Sequence, residues 1–194
     1  MIVKVKRQTK TAQGAKIVVR KIKVCYTVVK LRRRKREEHT VNNIFDVARW
    51  FLDKEPMTHK KLQKLCYYAQ AWSYLLLPGG KLKEEPFEAW VHGPVNRELW
   101  DCCKNYGYAE IAADNLPEGA QPITDAAVIS FLEDVYATYG RFSGYQLENL
   151  THREEPWQKA RRGYDEFEPS REQIKPADMC SYYGSLISQQ GVGE

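Results

Sequence analysis

The feature that most constrains this chain is the order helix, strand, helix written into residues 57–106. Thr58 can cap the first helix by accepting hydrogen bonds from its free amides. Leu62, Leu65, Cys66, Ala69, Trp72, Ser73 and Leu76 then recur three and four apart, which makes one helix face apolar. Pro78-Gly79-Gly80 stops the helix. Phe87, Ala89 and Val91 alternate with Glu88, Trp90 and His92, the period of a half-buried strand. Gly93 and Pro94 suit an immediate turn into a second helix, because proline fits a first helical position. Val95, Leu99, Cys102 and Tyr106 fall on one face of that helix, and Gly107 ends it. One short strand cannot stand alone, so a partner strand is expected near Leu82 or Ile111.

The remainder after Val41 reads as helical. Ile44, Val47, Ala48 and Phe51 form one helix face. A loop rich in Pro and Gly, Asn115 to Pro122, separates the halves. Thr124 can cap a helix carrying Val128, Phe131, Leu132, Val135 and Tyr139, which stops at Gly140. Ser143 with Gln146 makes a capping box for the next helix. Pro156-Trp157 opens a short turn or helix, and Pro176 begins the last one, with Met179, Tyr183, Leu186 and Ile187 inward. The fold class is therefore mainly α (α+β), a compact helical domain with a small β element over residues 41–190.

Residues 1–40 differ from everything after them. Of the 30 basic and 25 acidic residues, 14 and 2 fall within residues 1–38, leaving 16 and 23 beyond. The net charge is thus +12 before residue 39 and −7 after it, behind an overall +5. An acidic body argues against DNA binding over a broad surface, since phosphate neutralisation supplies most non-specific affinity. Nucleic acid is expected only at the basic tail, if at all. Three readings of that tail stand: a nucleic-acid arm, a solvated extension, or sequence upstream of the true start. The third is preferred, because Val41 is what an internal GTG start would encode and the Lys/Arg-rich run fits purine-rich untranslated sequence. No apolar run approaches bilayer length, and the basic N-terminus makes a poor signal peptide, so no membrane contact and a cytoplasmic location are expected.

Three strings resemble one known family. Leu62-Gln63-Lys64-Leu65-Cys66-Tyr67-Tyr68-Ala69-Gln70-Ala71-Trp72, then Glu88-Ala89-Trp90-Val91-His92-Gly93-Pro94-Val95, then Thr151-His152-Arg153-Glu154-Glu155-Pro156-Trp157 are similar to the Panacea antitoxin domain. That family is also described as SocA-like or phage-associated. The resemblance implies an antitoxin, encoded beside its cognate toxin in a prophage or other mobile element. One relative is described as an adaptor that hands its toxin to a Clp protease, which makes such a protease a second implied partner.

The residues themselves favour binding over catalysis. Five cysteines, an odd count with no Cys-x-x-Cys pair, fit reduced, packed thiols. Cys66 with His59 or His92 is the one conceivable nucleophile–base pair, and Cys66 lies on the apolar face. No Gly-rich phosphate loop, zinc motif or nucleophile elbow appears, so no catalytic residue, metal or cofactor is expected. Lys60, Lys64, Tyr67, Ala71 and Tyr74 share a stripe away from the apolar face, either solvated or a contact surface for a partner. Trp90 and His92 point opposite to Phe87 and Val91, toward a helix, solvent or a partner. Lys60, Lys64, Tyr67, Trp90 and His92 are therefore the partner-binding candidates, with Gly93, Pro94, Pro156 and Trp157 as structural motif residues. In the Thr151–Trp157 string, Trp157 is expected to be buried and the charges hydrated, with Arg153 free to pair with either glutamate. The runner-up function is a DNA-binding regulator using the tail or the 124–152 helix pair, which would present Tyr145, Glu148, Asn149 and His152. A Cys/His hydrolase comes third.

Overall fold

Helix α1 (Ile44–Leu52) begins where Asn43 accepts hydrogen bonds from the amides of Phe45 and Asp46 at 2.9 and 3.2 Å. The computed structural model describes residues 43–77 and 82–190. The basic extension and the Pro78-Gly79-Gly80 stop lie outside the described residues. α1 buries Ile44, Val47, Ala48, Trp50, Phe51 and Leu52. Its polar groups hold the Asn115–Pro122 loop: Asp46 accepts from the Gln121 amide at 2.7 Å, and Arg49 donates to the Ala120 carbonyl at 3.0 Å.

Strand β1 (Met57–Thr58) leads directly into helix α2 (His59–Leu76), and Thr58 caps it as expected, accepting from the Lys61 amide at 3.4 Å. The apolar face of α2 is buried as read from the sequence, but so is the opposite face. Every residue from 62 to 73 is buried, because α1 packs on α2 together with four later helices and the hairpin. The expected exposed stripe is therefore corrected: Lys64, Tyr67 and Ala71 are enclosed, and only Lys60 and Tyr74 remain half-buried. Gln63 survives there because both ends of its amide bond the Asn96 backbone, at 3.1 and 2.8 Å.

The strand containing Ala89 and Trp90 finds its partner next door. β2 (Glu88–Trp90) and β3 (Gly93–Val95) form an antiparallel hairpin with Ala89 opposite Pro94. Neither Leu82 nor Ile111 pairs with β2; Ile111 belongs to β4 (Glu110–Ile111), which pairs with β1. Pro94 thus lies in a strand and does not open a helix. The helix α3 (Arg97–Cys103) starts three residues later, where Asn96 accepts from the Leu99 amide at 3.0 Å. The shift changes which face is inward, so Cys103 is buried while Cys102 is half-buried and Tyr106 exposed.

Helix α4 (Ala126–Tyr139) is capped by Asp125, one residue beyond the expected Thr124, and buries Val128, Phe131, Leu132, Val135 and Tyr139. Helix α5 (Gly144–Thr151) has the expected Ser143–Gln146 capping box. Pro156 is buried in the first turn of α6 (Glu155–Ala160), and α7 (Pro176–Gln190) buries Met179 and Tyr183. Leu186 and Ile187 pack on the core more loosely. Seven helices and two two-stranded sheets make the described residues mainly α with a small β element, as the sequence predicts.

Candidate functional site

The three strings singled out in the sequence meet around Gly93. This residue has φ +89°, and a Cβ there would lie 2.8 Å from Lys64 Cε and 2.8 Å from Thr151 Oγ1. Lys64 passes through that gap and donates to the Pro94 carbonyl at 3.0 Å. Trp157 donates to the Trp90 carbonyl at 3.0 Å, so α6 is pinned to the same hairpin. Trp157 is only half-buried, and the His152 ring stacks on it at 4.1 Å. Arg161, which sequence reasoning missed, is buried and donates to the Ala89, Asp165 and Glu168 carbonyls at 3.1, 2.8 and 2.8 Å.

Beside the hairpin lies a cavity of about 400 Å³. His59, Lys60, Gln63 and Lys64 of α2 form one side; Trp90, His92 and Val95 form another; Trp100, Gly107 and Tyr108 complete it. Four of the five partner-binding candidates, Lys60, Lys64, Trp90 and His92, therefore share one concavity, although they come from two separate segments. Tyr67 does not join them and sits in the core against Tyr68 and Phe87. Trp100 and Tyr108 escaped the sequence reading. Tyr108 stands 94% exposed at the rim, which no local pattern announces.

Charge is organised by Glu148. One carboxylate oxygen meets Lys60 Nζ at 2.6 Å, and the other meets His92 Nδ1 at 2.8 Å. Burial pulls the Glu148 carboxyl up, but the bonds from Lys60 and His92 outweigh it and hold the carboxyl below its ordinary value. Burial drives the Lys64 ammonium down to about 7, a shift that Glu148 opposes and Lys60 reinforces. His59 is likewise shifted down, first by burial and then by Lys64 and Lys60.

These positions count against the two alternative readings, and the enclosed Cys66 agrees with the packed thiol expected from the sequence. Glu148 and His152 are not presented by the 124–152 helix pair: Glu148 is turned onto α2 and the hairpin, and His152 is stacked on Trp157. Of the four proposed reading residues, only Tyr145 is fully exposed. Cys66 is enclosed, and burial, with Cys103 beside it, pushes its thiol well up, the reverse of an activated nucleophile. The charges of the Thr151–Trp157 string also depart from expectation. Glu154 accepts from the Tyr68 and Tyr183 hydroxyls at 3.1 and 2.7 Å instead of pairing with Arg153.

Chemically, the cavity offers basic and aromatic groups without a serine, threonine, cysteine or carboxylate on its described lining. A family model described as "Antitoxin SocA-like, Panacea domain" matches residues 62–158, half of the chain. The protein belongs to this antitoxin-like family. The matched span runs from the buried part of α2 into α6 and includes the hairpin, Trp100, Tyr108 and Glu148. No curated protein and no solved structure matches the chain.

Proposed function

We propose that this protein is the antitoxin of a toxin–antitoxin pair and neutralises its cognate toxin by direct contact through the Trp90–Trp100–Tyr108 cavity. Family membership supports the antitoxin role. The single observation supporting this surface is the clustering of Trp90, Trp100 and an almost fully exposed Tyr108 about one concavity. Aromatic anchors at a concave patch are the usual source of interface energy. Lys60 and His92 contact the toxin from the mouth, and Lys64 acts from the wall. Tyr67 supports the helix from within. The toxin's active surface is occluded in the complex, in the cytoplasm and without a cofactor. Delivery of the bound toxin to a Clp-type protease is the second arm of this mechanism, carried by the family resemblance.

Co-expression with the product of the neighbouring gene tests the reading. Rescue of growth and a complex that co-purifies are expected. Growth arrest unaffected by this protein, with no complex formed, would overturn the reading for that pair. Toxin half-life, followed with and without the antitoxin, separates the two arms: accelerated loss supports delivery to a protease, and an unchanged half-life leaves occlusion alone.

A further inference from the structure

Four basic side chains, those of His59, Lys60, Lys64 and His92, line the cavity. Glu148 stands behind them and is already committed to Lys60 and His92. Two acids on the flanks are engaged as well: Glu88 accepts from Trp90 Nε1 at 2.6 Å, and Asp101 from Lys104 at 2.8 Å. Lys64 is 1% exposed as a residue, and Pro94 O is the one hydrogen-bond acceptor of its ammonium among the described residues. An ammonium has three donors, so most of its capacity is unspent inside the protein. His59 Nδ1 is also buried without a hydrogen-bond partner among the described residues. Buried polar groups and charges are normally paired; here His59 Nδ1 has no hydrogen-bond partner among the described residues and the Lys64 ammonium has one.

The remaining walls say what else the ligand carries. Trp90 and Trp100 meet edge to face at 5.1 Å, and Tyr108 stands free at the rim. No arginine lies on the described lining, so the planar, multidentate recognition that favours phosphate is missing. A singly charged group on an apolar body suits these walls better. A volume of about 400 Å³ is within the range of small-ligand pockets.

We propose that this cavity is a carboxylate-binding site: the carboxylate meets Lys64 and His59, and the apolar or aromatic body it is carried on lies against Trp90 and Trp100. The carboxylate belongs either to an acidic side chain of a partner protein or to a free α-carboxylate, as in a chain terminus or a small aromatic acid. Binding brings a counter-charge to Lys64 and so takes up a proton above neutral pH. The groups facing Lys64 are Glu148, Lys60, His59 and His152, and only the first is acidic.

The full chain can be titrated with N-acetyl-phenylalanine and with its uncharged amide, following tryptophan emission and heat. The carboxylate is expected to bind at least about tenfold more tightly than the amide. At pH 8 its binding enthalpy should depend on the ionisation enthalpy of the buffer, whereas that of the amide should not. In Lys64→Met the preference should shrink to about twofold; the buffer dependence in the unaltered protein serves if that variant does not fold. Equal binding of acid and amide, or a preference that persists in folded Lys64→Met, would overturn the proposal. A peptide containing Phe-Asp and blocked at both ends tests the side-chain source. Tighter binding of that peptide assigns the site to an acidic side chain, and tighter binding of the free acid assigns it to an α-carboxylate. No toxin enters this test, so its failure leaves the antitoxin reading intact, and a failed rescue leaves the ligand chemistry intact.

Discussion

Lys64 and Gly93 occupy one space between them: the lysine side chain fills the volume that any side chain at Gly93 would need, with 2.8 Å separating Lys64 Cε from a Cβ built there. The relation explains why an ammonium is found deep in a helical core. Its stem packs against the hairpin while its charge ends on the Pro94 carbonyl. It also explains why the turn needs glycine twice, once for the space and once for a φ of +89°.

Gly93→Ala should therefore destabilise the fold by about 2–4 kcal/mol, from left-handed backbone strain and overpacking together. Urea unfolding measures the loss. In a cycle with Lys64→Ala, the lysine's share of the overpacking should show as a coupling energy of about 1 kcal/mol, while the share due to Thr151 Oγ1 remains. Strictly additive effects would show that the two residues do not compete for the space.

Glu154 supplies a pH test. Burial raises its carboxyl to about 7, although the Tyr183 and Tyr68 hydroxyls pull the other way. The folded state then holds the proton more tightly than the unfolded chain. The stability contributed is fully present below about 4.5 and is lost as pH rises through about 7. Glu154→Gln should gain on the unaltered protein between pH 5 and 8, by an amount on the order of 2 kcal/mol. For Lys64 the sign reverses. Its folded value of about 7 lies below the ordinary 10.5, so stability rises between those two values, and Lys64→Met should remove that limb. Chemical denaturation across the pH range reads both, and parallel curves for variant and unaltered protein would refute either assignment.

Cys66 should behave as a packed thiol. In the folded protein it should resist iodoacetamide while the half-exposed Cys102 and Cys180 react. Cys66→Ala should cost about 1 kcal/mol through lost packing and leave toxin neutralisation unchanged. Loss of neutralisation in a well-folded variant would restore the thiol-enzyme alternative.

Tyr108→Ser removes a side chain that stands 94% exposed, so the melting temperature should hardly move. If the cavity is the toxin-binding surface, affinity for the toxin should fall about tenfold or more, and Trp90→Ala should have a larger effect. Full neutralisation by both variants would place the contact elsewhere.

The charge break after residue 38, from a basic stretch to an acidic body, sets the extension apart from the rest of the chain. A chain begun at Val41, with methionine in its place, should melt as cooperatively as the full chain and bind toxin equally. Intact mass of the protein made from its native promoter decides the start: a mass matching all 194 residues would refute the internal start at Val41. Salt-sensitive DNA binding confined to the full chain would give the basic extension a role of its own.

Local signals in the sequence determined most of the helices. The Thr58 and Ser143 caps, the apolar spacing from Leu62 to Leu76 and the inward Met179 and Tyr183 are consequences of hydrogen bonds and periodicity within a few residues. The family, too, was legible in three short strings. Tertiary structure decided the rest, because burial and pairing depend on what arrives from far along the chain. Pro94 reads locally as a helix start, yet the hairpin with Ala89 claims it. Lys64 and Tyr67 read as solvent-facing, yet later helices and the hairpin close over them. Glu148 reads as a helix-surface charge, yet Lys60 and His92, 88 and 56 residues away, draw it inward. Trp100 and Tyr108 joined the site only when the chain returned past α2. Periodicity identifies an apolar face; only packing decides whether the opposite face is left to water.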